Sequence, residues 1–158
     1  MNKNHSKEYY MKQALKQAKK AYSIDEVPIG AVIVKNNEII SRAYNQREKN
    51  HKSTAHSEII AIEKACKKLN SWRLNNCEIY VTVEPCPMCA GAILNSRMKK
   101  VYFGALDEKS GAVVSNLHML DLDKTFCNHK VEYESELLKD ECQDLLKDFF
   151  SKLRERNK

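Results

Sequence analysis

The stretch IYVTVEPCPMCAGAILNSR, residues 79–97, changes from a strand pattern to a helix pattern at its centre. CEIYVTV (77–83) combines β-branched and apolar residues and predicts a strand. Cys86 to about Ser96 predicts a short helix with Pro85 near its start, where the missing N–H of proline costs no hydrogen bond. A strand that leads directly into a helix is typical of a sheet covered by helices, and ligand sites in such sheets usually lie at these junctions.

Hydrophobic periodicity and turn residues predict further elements on both sides of this stretch. In chain order they are a helix over 7–23, strands at 28–34 and 38–44 joined by a turn at Asn36-Asn37, a helix capped by Thr54 and ending near Leu69, the strand at 77–83, the helix from Cys86, a strand at 100–104, a helix over 111–120, a strand at 129–134 and a helix over 135–157. This order predicts an α/β fold in three layers, with a mixed sheet of about five strands and helices on both faces.

The bulk composition limits the class of protein. A chain of 158 residues predicts a single domain, 1–158, with the C-terminal helix (about 135–157) packed on it. The net charge of +6 permits a polyanionic partner, although a solvated lysine-rich surface explains it equally well. MNKNHSKEYY contains no signal-peptide core, and no run approaches the roughly 18 apolar residues of a membrane span. We therefore expect a cytoplasmic protein with no membrane partner, whose six cysteines form no disulfide framework.

Cys86 and Cys89 share one face at a helix start, where free N–H groups and the helix dipole favour thiolates. A CxxC motif alone also fits a redox pair or two core cysteines. His56, at another predicted helix start, adds a nitrogen ligand, and three protein ligands leave a fourth tetrahedral zinc position for water. That arrangement is typical of catalytic zinc. A structural zinc site would need a fourth ligand, for which Cys127 and His129 are the nearest candidates, whereas Cys66, Cys77 and Cys142 fall on apolar stripes and are predicted core residues.

Glu58 completes an H-x-E motif with His56. Zinc lowers the pKa of a bound water from about 15.7 to about 7. A carboxylate beside that water can take a proton and pass it to a ring nitrogen and then to the leaving group. Attack at an amidine-like carbon with loss of ammonia is hydrolytic deamination, and H-x-E…P-C-x-x-C is the known pattern of zinc deaminases. Read without the neighbouring motifs, Glu58 would better fit a carboxylate that the helix dipole favours at a helix N-terminus.

Longer blocks of the sequence resemble one protein family more specifically than the short zinc motifs do. EVPIGAVIV (26–34), TAHSEI (54–59), residues 79–97, VYFGALDEKSGA (101–112) and DECQDLLKDFF (140–150) resemble the bacterial tRNA-specific adenosine deaminases of the cytidine deaminase-like superfamily. H-x-E and PCxxC belong to the whole superfamily, whereas the last two blocks point to the tRNA enzymes. The resemblance implies a cytidine deaminase-like fold and conversion of adenosine to inosine at the wobble position of a tRNA anticodon stem-loop. It also implies a homodimer with one Zn²⁺ per subunit.

The resemblance assigns roles to single residues. Matched to the family motifs, the zinc ligands are His56, Cys86 and Cys89, the proton shuttle is Glu58, the contact to the target base is Asn45, and the contacts to flanking nucleotides are Asp107 and Lys109. Read alone, Asn45 equally fits a turn residue at a strand end, and Asp107 a loop cap. The chain departs from the family pattern at Lys52-Ser53 in place of Asp-Pro, at Ser57 in place of alanine, and at Leu106 in place of arginine.

Two alternative functions stay open on the sequence. The first is deamination of a free base or nucleoside, such as guanine or cytosine, which would use the same zinc motifs. The basic flanks and the FGALDEKSGA segment disfavour it. The second is a catalytically inactive zinc fold that binds RNA or a partner subunit, which we would expect to lack Glu58. Side chains available for RNA phosphates are Arg47, Lys49, Lys52, Lys109, Lys152, Arg154 and Arg156.

Overall fold

The computed structural model describes residues 4–122 and 128–158, which surround one mixed β-sheet. The elements are α1 (Lys7–Ser23), β1 (Gly30–Lys35), β2 (Glu38–Tyr44), α2 (Ser57–Leu69), β3 (Cys77–Val83), α3 (Pro87–Asn95), β4 (Lys100–Ala105), β5 (Glu132–Glu134) and α4 (Lys139–Arg156). The strand order is β2-β1-β3-β4-β5, with β1 antiparallel to both neighbours and β3, β4 and β5 parallel. The predicted α/β class with a five-stranded mixed sheet is confirmed.

Helices cover both faces of the sheet. Successive residues of β1 point in opposite directions, so Val32 packs with Met11 of α1, and Ile33 packs with Ala61 of α2 and Ile93 of α3. The helix α4 lies on the α1 side, where it contacts β4. One apolar cluster on each face joins the sheet to the helices that cover it. The helices, the sheet and the helices on the opposite face are the three layers that the element order predicted.

Two glycines bring helices directly onto strands. A Cβ atom at Gly30 of β1 would overlap the backbone of Ala14 and Ala18 in α1, and one at Gly104 of β4 would overlap Sγ of Cys142 in α4. Both helices therefore approach the sheet more closely than any larger residue at these two positions would allow. Replacing either glycine would push a helix, or the strand beneath it, away from the sheet.

The predicted hairpin and its turn are confirmed. Strands β1 and β2 pair from Gly30 opposite Tyr44 to Lys35 opposite Glu38, with one irregularity near Ile33. Asn36 and Asn37 have φ of 52° and 64°. Positive φ at both central residues is the pattern of a type I′ turn, whose twist matches that of the strands it joins.

The predicted helix over 111–120 is wrong. These residues form turns, and only Met119–Asp121 make a short 3₁₀ helix. One reason is a competing acceptor, because the N–H group of Ser115, which a helix from 111 would pair with the carbonyl of Gly111, donates to the side-chain carboxylate of Glu84 instead. The other reason is the left-handed φ of Leu117 and His118, 55° and 47°, which interrupts a right-handed helix.

Three element boundaries also differ from the predictions. The helix α2 begins at Ser57 with His56 as its N-cap, so Thr54 is not the cap. The helix α4 begins at Lys139, later than predicted, because Glu136 and Leu138 adopt left-handed φ of 64° and 51°. The strand predicted at 129–134 is reduced to Glu132–Glu134.

One edge of the sheet collects the chain segments that matter for function. The parallel strands β3 and β4 end there at Val83 and Ala105, and β1 begins there at Gly30 beside Tyr44, the last residue of β2. The loops that follow β2, β3 and β4 therefore meet at this edge. The N-terminus of α2 lies there as well, since Ser57 and Val83 line the same cavity.

Candidate active site

A cavity of about 230 Å³ opens at this edge of the sheet. Its lining residues are Val27, Ile29, Asn45, Arg47, His56, Ser57, Glu58, Val83, Glu84, Cys86, Asp107 and Ser110. Apolar side chains before β1 and at the end of β3 form one part of the wall. Polar and charged side chains from the neighbouring loops and helix starts form the rest. This combination of apolar walls and a few polar groups is typical of a small-ligand site.

Three metal-ligand side chains converge at the cavity. Nδ1 of His56 lies 3.6 Å from Sγ of Cys86 and 3.5 Å from Sγ of Cys89. All three ligand atoms lie within 4.8 Å of one another. In a tetrahedral site with zinc–sulfur bonds of about 2.3 Å and zinc–nitrogen bonds of about 2.0 Å, sulfur and nitrogen lie about 3.5 Å apart. The nitrogen–sulfur distances therefore fit a tetrahedral zinc ion.

The backbone presents two of these ligands in the same way. His56 and Cys86 are the N-cap residues of α2 and α3, both with extended φ and ψ, and neither side chain makes a capping hydrogen bond. An N-cap side chain normally turns back onto its own helix. Here the two side chains approach each other instead, and Cys89 adds its thiol from within the first turn of α3, where it is fully buried.

The two thiols differ in their affinity for protons. The hydrogen bond from the Cys89 thiol lowers the pKa of Cys86 to about 4, and His56 acts in the same direction. The same hydrogen bond raises the pKa of Cys89, as does its burial. Cys86 is therefore the thiol of the pair that loses its proton more readily. Both cysteines would be deprotonated once a divalent ion binds, because metal ligation requires thiolates.

Glu58 lies on the wall of the same cavity and is only 4% exposed. Burial raises the pKa of its carboxyl group, although a hydrogen bond from Ser57 opposes the shift. The Ser57 hydroxyl donates to Oε1 at 2.7 Å. Because His56 is the N-cap and Glu58 the second residue of the helix, the H-x-E spacing places both side chains at one cavity. The ideal-helix geometry, which would separate residues two positions apart, does not apply to a pair that includes the N-cap.

The three residues matched to RNA contacts do not occupy equivalent places. Asn45 and Asp107 line the cavity, whereas Lys109 lines an adjoining groove between the 106–110 segment and α4. Asn45 is 6% exposed, and its side-chain amide donates to the carbonyl of Val27 at 3.3 Å. Asp107 accepts from the backbone N–H of Lys109 through Oδ1, so its carboxylate also shapes the turn that presents the lysine.

The structural-zinc alternative finds no support among residues 4–122 and 128–158. In these ranges the metal-ligand group contains no fourth His, Cys, Asp or Glu. His129 instead lies 2.6 Å, through Nε2, from the carbonyl of Met98. Cys127 lies outside the described residues. Of the cysteines predicted for the core, Cys77 and Cys142 are buried and Cys66 is partly buried against the same apolar cluster as Cys77.

Sequence reasoning missed Glu84 as a residue of the site. It follows β3 directly, lines the cavity and is 3% exposed. Burial alone would raise the pKa of Glu84, but hydrogen bonds from Ser115, Val114 and Asp107 outweigh it and hold the pKa below its ordinary value. The signal in the sequence was an acidic residue at the end of the buried strand CEIYVTV, where no cationic neighbour follows.

Comparison with known proteins agrees with this geometry. The family model of MafB19-like deaminases matches residues 5–154. A tRNA-specific adenosine deaminase of Bacillus subtilis (strain 168) is 50% identical over 151 residues, covering 96% of this chain and 92% of the relative. A chain solved in studies of A-to-I editing by tRNA:A34 deaminases at the wobble position has a TM-score of 0.83 and 40% identity, covering 87% of this chain and 99% of that chain.

A second kind of deaminase is also similar over part of the chain. The solved guanine deaminase of Bacillus subtilis has a TM-score of 0.62 and 39% identity, but the match covers 65% of this chain and 66% of that chain. The tRNA-specific relatives match at higher identity over nearly the full length. The chain therefore belongs to the family of tRNA-specific adenosine deaminases, with the cytidine deaminase-like α/β/α fold.

Proposed function

We propose that this protein converts adenosine to inosine by hydrolytic deamination at the wobble position of a tRNA anticodon. The observation that carries the proposal is the meeting of the His56, Cys86 and Cys89 ligand group with the buried carboxylate of Glu58 at one cavity. Membership of the tRNA-specific family supports the choice of substrate. We further propose one Zn²⁺ per subunit, held by these three residues.

The places of the residues in the cavity support the following roles. Zinc, when bound, lowers the pKa of a water in its open coordination position to about 7. Glu58 would take a proton from the attacking water as its oxygen adds to C6 of adenine, and would donate that proton to the ring nitrogen N1. It would then carry the proton of the new C6 hydroxyl to the amino group, which leaves as ammonia. Adenosine and water are thereby converted to inosine and ammonia, and Glu58 ends in its starting protonation state.

The cavity wall supports binding of a flat base. Val27, Ile29 and Val83 offer apolar contacts to a ring, and the side chain of Asn45 offers polar atoms in the same cavity. An anticodon loop already presents unstacked bases, so moving one into a pocket costs less than extracting it from a duplex. We assign Asn45 to contact with the target base.

The adjoining groove supports binding of the flanking nucleotides. It lies between the 106–110 segment and α4, and its lining includes Leu106, Asp107, Lys109 and the 39% exposed Phe150. Apolar and aromatic side chains next to a lysine offer stacking for a base and charge for a phosphate. We assign Asp107 and Lys109 to these nucleotides. Of the other basic residues considered for phosphates, two are already paired, Lys152 with Asp148 and Arg156 with Asp25.

The proposed partners are the anticodon stem-loop of a tRNA and a second copy of this chain. Partly exposed apolar side chains on α2 and α3, including Ile59, Ile62 and Met88, support a homodimer through that helical layer. Sedimentation of the purified protein would test this partner directly, since a dimer has twice the mass of 18.3 kDa. Within residues 4–122 and 128–158 no helix is long and apolar enough to cross a membrane. We propose a cytoplasmic location, where tRNA is processed.

The function is tested by assaying the zinc-loaded protein on an anticodon stem-loop with adenosine at the wobble position. Free adenosine, guanine, cytosine and cytidine serve as parallel substrates. We expect inosine in the stem-loop and no change in the free compounds. Turnover of free guanine with an unchanged stem-loop would replace this proposal by the alternative that the partial similarity to guanine deaminase favours. Zinc binding with no turnover of any substrate would point to the inactive RNA-binding fold.

A further inference from the structure

The carboxylate of Glu84 is the acceptor for five hydrogen bonds from one loop. Oε1 accepts from the backbone N–H of Asp107 at 3.1 Å and from the hydroxyl of Ser115 at 2.5 Å. Oε2 accepts from the N–H groups of Val113 at 3.1 Å, Val114 at 2.8 Å and Ser115 at 2.9 Å. A side chain that is 3% exposed thus joins both ends of the 107–115 loop.

Hydrogen-bond donors, not an ion pair, balance this buried charge among residues 4–122 and 128–158. The ion pairs between these residues do not include Glu84, so the described groups that stabilise its charge are N–H and O–H dipoles. The loop also lies in contact with the carboxylate, because a Cβ atom at Gly111 would overlap Cδ and Oε1 of Glu84. A buried carboxylate is stable here only while these donors surround it. Movement of the loop away from Glu84 is therefore disfavoured.

Glu84 also begins the short segment 84–86 that ends at the metal ligand Cys86, which we call the metal-ligand segment. Its own N–H donates to the carbonyl of Ala105 at 2.8 Å, and the carbonyl of the next residue, Pro85, accepts from Ala112 at 2.9 Å. Cys86 follows immediately. Backbone hydrogen bonds of both Glu84 and Pro85 therefore connect the metal-ligand segment to the chain around the 107–115 loop, one before the loop and one within it.

The loop presents the two residues assigned to RNA. Oδ1 of Asp107 accepts from the N–H groups of Lys109 at 3.1 Å and Ser110 at 3.0 Å, and its carbonyl accepts from Gly111 at 2.8 Å. Asp107 is at the same time bonded to Glu84 through its own N–H. The turn at 107–111 is thus tied to the site at its first residue, and the side chain of Lys109 extends from that tied turn.

We propose that Glu84 is a positioning residue for RNA, which fixes the 107–115 loop relative to the metal-ligand segment so that Asp107 and Lys109 hold the flanking nucleotides in register with the cavity. This inference rests on the proposed function. It predicts that Glu84 affects the binding of the RNA more than the chemical step, because none of its five partners belongs to the ligand group or to Glu58.

Glutamine is the substitution that tests this role. It conserves length and volume but replaces one acceptor oxygen by an NH₂ donor. In Glu84→Gln, the remaining side-chain oxygen can still accept from the three N–H groups of residues 113–115. The NH₂ group then faces the N–H group of Asp107. That pair of donors cannot bond, so the start of the loop is released while the metal-ligand segment keeps its sequence.

The experiment measures steady-state inosine formation in a wobble-adenosine stem-loop, together with zinc content and amide hydrogen exchange. For Glu84→Gln we expect KM to rise about tenfold or more, the loss typical of a buried donor left without its acceptor, with kcat changed less than about threefold. We expect stoichiometric zinc and faster exchange at Asp107 and residues 113–115. Glu132→Gln, an exposed residue of β5, is the matched control and should leave all four quantities unchanged.

Unchanged KM and unchanged exchange in Glu84→Gln would overturn the inference. If Glu84→Gln does not fold or loses zinc, Ser115→Ala decides, because it removes only the hydroxyl bond to Oε1. A rise in KM of a few fold with faster exchange in residues 113–115 supports the inference, and no change in either overturns it. The proposed function is judged separately, since it fails only if the wild-type protein does not modify the stem-loop.

Discussion

The two sides of the cavity are built on different principles. The metal side consists of the N-terminal ends of two helices, where the side chains of the N-cap residues His56 and Cys86 approach each other. The side that we propose to hold RNA, the RNA side, consists of turns between Asp107 and Ser115, whose backbone donates to the buried carboxylate of Glu84. Helix starts are specified by local sequence, whereas the turns take their shape from a residue more than twenty positions away. The comparison therefore distinguishes the metal side, to which we assign the chemical step, from the RNA side, to which we assign recognition.

The largest expected effect comes from the metal side, in Cys86→Ala. Removing one of three ligands leaves two, too few to hold zinc in a catalytic site. We expect loss of bound zinc, measured by metal analysis of the purified protein, and no detectable inosine. Cys66→Ala is the matched control, because that thiol lies outside the ligand group and should leave zinc stoichiometric. Unchanged zinc content in Cys86→Ala would disprove the ligand assignment.

Glu58→Ala should separate chemistry from both kinds of binding. Without a group to move protons, we expect the single-turnover rate to fall about 10²- to 10⁴-fold. Zinc content and the Kd for the stem-loop, measured by fluorescence anisotropy, should stay near wild-type values, because Glu58 is not one of the three ligands. Inosine formation at the wild-type rate would remove Glu58 from the mechanism.

Lys109→Ala should act on the RNA side alone. Losing one phosphate contact should weaken stem-loop binding severalfold and reduce the slope of log K against log salt by about 1. The rate of the bound complex should be unchanged. Lys16→Ala, an exposed lysine on α1, removes the same charge elsewhere and should leave the salt slope unchanged. Equal changes in both variants would mean that Lys109 contributes only general charge.

The smallest effect is expected for Ser57→Ala, on the metal side. The hydroxyl orients Oε1 of Glu58 at 2.7 Å, yet alanine is the common residue at this position in the family that the sequence resembles. We expect kcat to fall less than about tenfold with KM unchanged. Ser96→Ala removes another buried hydroxyl, bonded to the carbonyl of Ile93 at the far end of α3, and should not change kcat. A change in KM in Ser57→Ala would place Ser57 on the recognition side instead.

Local patterns predicted most of the elements. The β1–β2 hairpin, α1, β3 and β4 lie close to their predicted positions, because hydrophobic period and turn residues act over short distances. The helix predicted over 111–120 did not form, in part because the N–H group of Ser115 donates to Glu84. That carboxylate lies 31 positions earlier in the chain, so no pattern within residues 111–120 indicates it.

The candidate site divides in the same way. The sequence by itself predicted the ligand set His56, Cys86 and Cys89 and the neighbouring Glu58, because zinc chemistry favours those residue types and two predicted helix starts supply the spacing. Only the tertiary structure decided that Lys109 lies in an adjoining groove and that Glu84 fastens the 107–115 loop. The physical reason is range. Residue type and spacing are local properties, whereas a buried carboxylate finds its donors only after the sheet has brought the ends of β3 and β4 together.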